Sequence, residues 1–158
     1  ASIEHSLIDS LQFRQTELGY SLSYAPPWFY PQHLKLDYDM LYLKIVSRTQ
    51  DWVQVEVNQQ TQQRSWLDAS QLTVLSWEAV LLGAASVTVI DAESNPLRQK
   101  PMEHATTVSV TGALYKPVEI RSNWLRIAVY DDAYQLQSYG WVQWRTADQL
   151  LISYDLLS

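Results

Sequence analysis

The sequence predicts an all-β protein: two small β-barrels in tandem behind a short N-terminal extension. Three observations lead there. Apolar and polar residues alternate over short runs, the pattern of half-buried strands. Turn residues recur every ten positions or so, which is the spacing of small barrels. And one run, DWVQVEV (Asp51 to Val57), returns as NWLRIAV (Asn123 to Val129), each with a polar residue, a Trp and then strict alternation. Beyond residue 17 no segment sustains a 3.6-residue period, so a helical bundle is excluded.

Residues 1–17 form the extension. Ser2 is placed to cap a helix carrying Ile3, Leu7 and Leu11, whereas Leu11 and Phe13 alternate like a strand, so both forms stay open. The first barrel is expected over residues 18–82. Leu18, Tyr20, Leu22 and Tyr24 alternate as a strand that Pro26 and Pro27 stop, since proline cannot donate to a ladder. PPWFYPQ (Pro26 to Gln32) is a stiff aromatic loop. Met40 to Val46 and Trp52 to Val57 are strands, Asn58 to Arg64 is a polar hairpin loop, and Trp66 begins another strand. DASQL (Asp68 to Leu72) reads as a helical turn capped by Asp68, and Thr73 to Leu75 as a fifth strand. The chain then passes SWEAVLL and reaches GAAS (Gly83 to Ser86), the expected linker.

The second barrel, residues 87–158, repeats the order. Val87 and Val89 lie on a strand, and Pro96 to Pro101 form a loop. Strands follow at Thr106 to Val110, Tyr115 to Ile120 and Trp124 to Val129. A long polar loop, Tyr130 to Gly140, precedes Trp141 to Trp144, a turn at TADQL (Thr146 to Leu150) and a last strand at Leu151 to Ser153. Aligned, Trp52 matches Trp124, Trp66 matches Trp141, ASQL (Ala69 to Leu72) matches ADQL (Ala147 to Leu150), and LSWE (Leu75 to Glu78) matches ISYD (Ile152 to Asp155). The length changes between these anchors fall in loops, where insertions are tolerated.

The second half also carries PLRQKP (Pro96 to Pro101), GALYKPVEI (Gly112 to Ile120), SNWLRIAV (Ser122 to Val129) and YGWVQ (Tyr139 to Gln143). In that order they resemble the bacterial SH3-like (SH3b) family, with Pro117 where a Gly is usual. The first half keeps DWVQVEV and SWLDASQL but has Ser65 in place of the Gly before the second Trp. The resemblance spans residues 18 to 158. It implies a tandem SH3-like protein and a non-catalytic role. Members of the family are mostly extracytoplasmic, and many bind peptides or peptidoglycan. An opening Ala1 in place of Met adds the expectation of a removed secretory signal.

Composition narrows the chemistry. A net charge of −6 with no basic run argues against nucleic acid as a partner. No apolar stretch is long enough to span a membrane; AVLLGAA (Ala79 to Ala85) is the longest. With no Cys there is no disulfide or thiolate chemistry. His5, His33 and His104 are too far apart in sequence for a metal motif, and four Gly leave no phosphate cradle. Neither a metal nor a cofactor is expected. Asp37 with Asp39, and Asp131 with Asp132, read as solvated turn acids, which leaves a small glycan hydrolase as a remote alternative.

What stands out is seven Trp and ten Tyr against two Phe. Val53, Val55 and Val57 share one face of their strand, as do Leu125, Ile127 and Val129, so Trp52 and Trp124 point away from the core. Burying one Trp removes about 150–250 Å² from water, worth several kcal/mol at ~25 cal/mol per Å². Each therefore needs a cover: another part of the protein, or a ligand. Trp28, Phe29 and Tyr30, held by prolines, suit a plug on Trp52, a seam between the two barrels or a preorganised ligand contact. Tyr134, Tyr139 and Trp144, in or beside the long loop, are expected at the surface. The reading is a binding module for a peptide, a peptidoglycan fragment or a protein partner, with Trp28, Phe29, Tyr30, Trp52, Trp124, Tyr134, Tyr139 and Trp144 as candidate ligand residues. The alternative is a docking protein whose aromatics are buried between its own two barrels.

Overall fold

The computed structural model describes residues 9–17, 19–147 and 149–156. The helix considered for Ser2 through Leu7, the strand position Leu18 and His5 lie outside them. The chain is mostly β, and it divides into two compact units, up to Thr73 and from Val74 onwards. Among the described residues no sheet closes into a barrel; each unit is built on a three-stranded antiparallel meander with smaller ladders around it.

In the first unit, β1 (Gln12–Thr16) and β2 (Gly19–Tyr24) form a hairpin. The extension is thus strand at its C-terminal end. After the proline loop, β3 (His33–Lys35) and β4 (Met40–Tyr42) pair around a 3-10 turn at Leu36–Tyr38. The expected continuous strand from Met40 to Val46 is split at Leu43, whose side chain packs on the core. The meander is β5 (Lys44–Arg48), β6 (Trp52–Asn58) and β7 (Gln63–Asp68), in that spatial order. Alternation works as the sequence implies: Val53, Val55 and Val57 are buried, with Trp28, Phe29, Leu67 and Leu72 packed on them. The Asp68 carboxylate accepts from the Ser70 amide at 2.8 Å and caps the 3-10 turn Ala69–Gln71. The strand expected at Thr73 to Leu75 does not form.

The second unit opens with a helix that periodicity does not reveal, α1 (Trp77–Leu82). Its signals are terminal. The Ser76 hydroxyl accepts from the Ala79 amide at 3.1 Å, and Gly83 ends the helix. Trp77 and Leu81, one turn apart, join the core of this unit, and Leu81 is fully buried. The linker expected at residues 83–86 therefore lies inside the second unit, because the helix before it belongs to that core. LSWE does not copy ISYD for the same reason: Ser76 caps a helix, while Ile152–Asp155 is a strand.

That strand, β12, pairs with β8 (Ser86–Val89). Between them runs the second meander, β9 (Leu114–Arg121), β10 (Trp124–Tyr130) and β11 (Leu136–Gln143). Of the strand expected at Thr106 to Val110 only one bridge remains, Thr107 to Arg98. The hairpin loops are shorter than predicted because the strands run on past Val57 and start again at Gln63 and Leu136. The core gathers Leu125, Ile127, Val142, Ile152, Val87 and Leu81 around Trp144.

The two meanders are copies in register. Arg48 with Val53, Ser47 with Gln54, Ile45 with Val55 and Lys44 with Glu56 recur as Ile120 with Leu125, Glu119 with Arg126, Pro117 with Ile127 and Lys116 with Ala128. Even the β-bulge recurs, at Val46 and Val118. On the other side, Val53 with Leu67, Gln54 with Trp66 and Val55 with Ser65 recur as Leu125 with Val142, Arg126 with Trp141 and Ile127 with Gly140. Bulges are retained features rather than slips, so the sequence echo is a duplicated structural element.

Candidate functional site

The outer face of the second meander carries a continuous chain of charged and aromatic groups. Alternation puts Glu119 and Arg121 of β9, Trp124 and Arg126 of β10, and Tyr139 and Trp141 of β11 on the face opposite the core. The Arg126 guanidinium lies over the Tyr139 ring, 4.6 Å from its centre. Arg126 Nη1 is 3.6 Å from Glu119 Oε2, and Arg121 Nε donates to Glu119 Oε1 at 2.6 Å. Arg121 in turn sits over Trp141 at 5.2 Å. These ion pairs are exposed to water and add little stability. Their effect is to hold Arg121 over the buried Trp141 ring and Arg126 over the exposed Tyr139 ring, which puts a cation and an aromatic side by side at the surface.

Of the residues singled out from sequence, three belong to this side of the second unit. Tyr139 is exposed and stacked, Trp124 is half-buried beside Arg126, and Tyr134, 75% exposed, stands at the tip of the β10–β11 loop with φ of 55°. Asp131 builds that loop: its carboxylate accepts from the amides of Ala133 and Gln135, both at 2.9 Å, and from Gln137 Nε2. It is a turn acid whose two oxygens are engaged by these donors. Trp144 corrects the expectation of exposure. It lies at the end of β11, fully buried, with Nε1 donating to the Ser122 carbonyl at 2.9 Å and Arg145 over its ring at 4.4 Å. One position past the strand, it continues the alternation of Gly140 and Val142 and so faces the core.

In the first unit, Trp28 and Phe29 pack onto the core valines of β6, the face opposite Trp52. Tyr30 remains exposed, at 48%. The proline loop is fastened by Asn58, whose Nδ2 donates to the Trp28 carbonyl at 2.7 Å, while Tyr30 bonds to Val57 and Gln59 through its backbone at 2.9 Å each. Trp52 is half-buried at the head of β6. Asn58 had no signal in the sequence beyond its place in a polar loop.

The loop with the same spacing of prolines in the second unit docks elsewhere. Asn95 uses its side-chain amide like a strand, donating to the Gln143 carbonyl at 2.7 Å and accepting from the Gln143 amide at 3.0 Å. Arg98 and Trp141 exchange two backbone bonds at 2.8 and 2.7 Å. Leu97 then lies against Gly140, where a Cβ would stand 2.2 Å from Leu97 Cγ. The glycine of YGWVQ is needed for that close approach.

Among the described residues no three His, Cys, Asp or Glu side chains gather where they could hold a metal ion. His33 pairs across the β3–β4 hairpin with Tyr42, its Nε2 buried without a partner, and His104 is exposed. No protein-family model, no curated protein and no solved structure matches this chain.

Proposed function

We propose that the chain is a non-catalytic tandem SH3-like module, acting outside the cytoplasm, that recognises a peptide, a peptidoglycan fragment or a protein partner through aromatic surface. The observation that carries this reading is the exposed Arg126–Tyr139 stack on the outer sheet face, flanked by the Glu119–Arg121 pair, with Tyr134 exposed in the loop before β11. It joins an aromatic plane to cationic groups and offers no nucleophile. The SH3-like assignment rests on the motifs of the second half and on the duplicated meander. The extracytoplasmic setting rests on the resemblance alone.

The test is a titration of the intact protein with soluble muropeptides and, separately, with proline-rich peptides, read by NMR shifts of the Tyr139 and Tyr134 rings. One of the two series is expected to saturate those signals. Tyr139→Ala and Arg126→Ala should each weaken it about tenfold or less, the range of an exposed cation–π contact. Silence of both rings in both series rejects the proposal.

A further inference from the structure

The repeat shows one strand edge filled in the second unit and open in the first. Strand β11 has β10 on one side and the chain's own residues 95–98 on the other. Among the described residues its counterpart β7 pairs with β6 alone. Backbone direction confirms that the open side is ready for pairing. Trp52 turns its amide and carbonyl to Thr49, on the β5 side, at 3.1 and 2.8 Å. Alternation then sends Val53 and Val55 to β7, and Trp66 and Asp68 direct their N–H and C=O away from β6. Among the described residues nothing bonds to them.

The sequence explains why the first unit leaves this edge open. Its proline loop is diverted to the end of β6 by Asn58. Where Gly140 lets Leu97 lie against β11, the first unit has Ser65 on the core-facing side of β7. A leucine placed as Leu97 is would meet the Ser65 Cβ. A residue without a large side chain would not.

We infer that the β7 edge is a strand-addition site for an extended segment of a partner protein, paired antiparallel to Trp66, with Gly or Ala lying over Ser65. The incoming residue opposite Trp66 exchanges two backbone bonds with it, as Arg98 does with Trp141. Main-chain bonds supply the affinity, and the Ser65 Cβ supplies the selection, since it leaves room for a small side chain only. The same selection rejects residues 95–98 of a second copy, which carry Leu97. The site stands on the geometry of the repeat and not on the aromatic face of the second unit.

Two synthetic peptides test it on the whole protein: residues 95–101 as they are, and the same peptide with Leu97→Gly. The glycine peptide is expected to slow hydrogen exchange at the Trp66 amide at least tenfold at millimolar concentration and to shift its NMR signal, leaving the Tyr139 ring unmoved. The native peptide is expected to do neither. In a Ser65→Gly protein, the native peptide should gain binding at Trp66. N-methylation of the peptide at Arg98 should abolish protection in every pairing. If Trp66 stays unprotected with the glycine peptide, or if the leucine peptide protects wild type equally, the inference is overturned. Changes at Tyr139 without changes at Trp66 overturn it too, while leaving the proposal for the second unit standing.

Discussion

Single side chains decide how closely the parts of each unit approach. Gly140 is the sharpest case, with Leu97 filling the place of a Cβ. Gly140→Ala should destabilise the second unit by about 1–3 kcal/mol, the usual cost of overpacking. Leu97→Ala in the same chain should return part of it, and a double-mutant cycle in urea measures the coupling. Trp144 fills the core and satisfies its indole N–H on Ser122. Trp144→Ala should cost about 3–5 kcal/mol by chemical denaturation, from the cavity and the orphaned carbonyl together. Asp68 reports on a polar contact. Bonds from the Ser70 hydroxyl and then the Ser70 amide hold its carboxyl below the ordinary 3.8. A carboxyl with a depressed pKa stabilises the fold above its unfolded value and loses that contribution as pH falls through the folded one. Wild type and Asp68→Ala should therefore differ most at neutral pH. The gap should narrow below pH 3.8, as followed by thermal melts across that range.

Among elements, the strands with clean alternation were legible and those defined by partners were not. Val53 to Val57 and Leu125 to Val129 declare their buried face in the order of residue types, because a sheet with one buried face imposes a period of two. The 106–110 segment has the same look, yet its pairing stops at one bridge, where Thr106 and Val108 bond to Gln99 and Leu97, since a strand needs a neighbouring edge and not only a pattern. Helix α1 was hidden for the opposite reason: six residues are too few to show a period, and its only signals are the Ser76 cap and Gly83. The site divides likewise. Tyr139 and Tyr134 were readable as loop-side aromatics, whereas the packing of Trp28 and Phe29 on β6 depends on Asn58, thirty positions away. Asn58→Ala removes the bond to Trp28 and the two that its Oδ1 accepts from Gln60 and Thr61. It should cost about 1–3 kcal/mol and raise exchange at the Tyr30 amide, by hydrogen-exchange mass spectrometry.

For the whole chain, the division after Thr73 has a practical form. A fragment of residues 74–158 keeps Trp77 and Leu81 in its core, and one of residues 83–158 does not. The longer fragment should unfold in a single cooperative transition. The shorter should be less stable by about 2–5 kcal/mol, the range for losing a fully buried leucine. Circular dichroism melts of both fragments check this. The shared register of the two meanders also bears on how the chain reaches its native state. Because β5 with β6 and β9 with β10 have the same ladder and the same bulge, β6 can be mistaken for β10 by either neighbour during folding. Such cross-repeat pairing is a characteristic trap of tandem domains. Pro117 marks a difference between the copies: it stands in β9 where β5 has Ile45, so at this register position β5 carries an N–H that β9 lacks. Duplication thus left the chain with two nearly interchangeable templates.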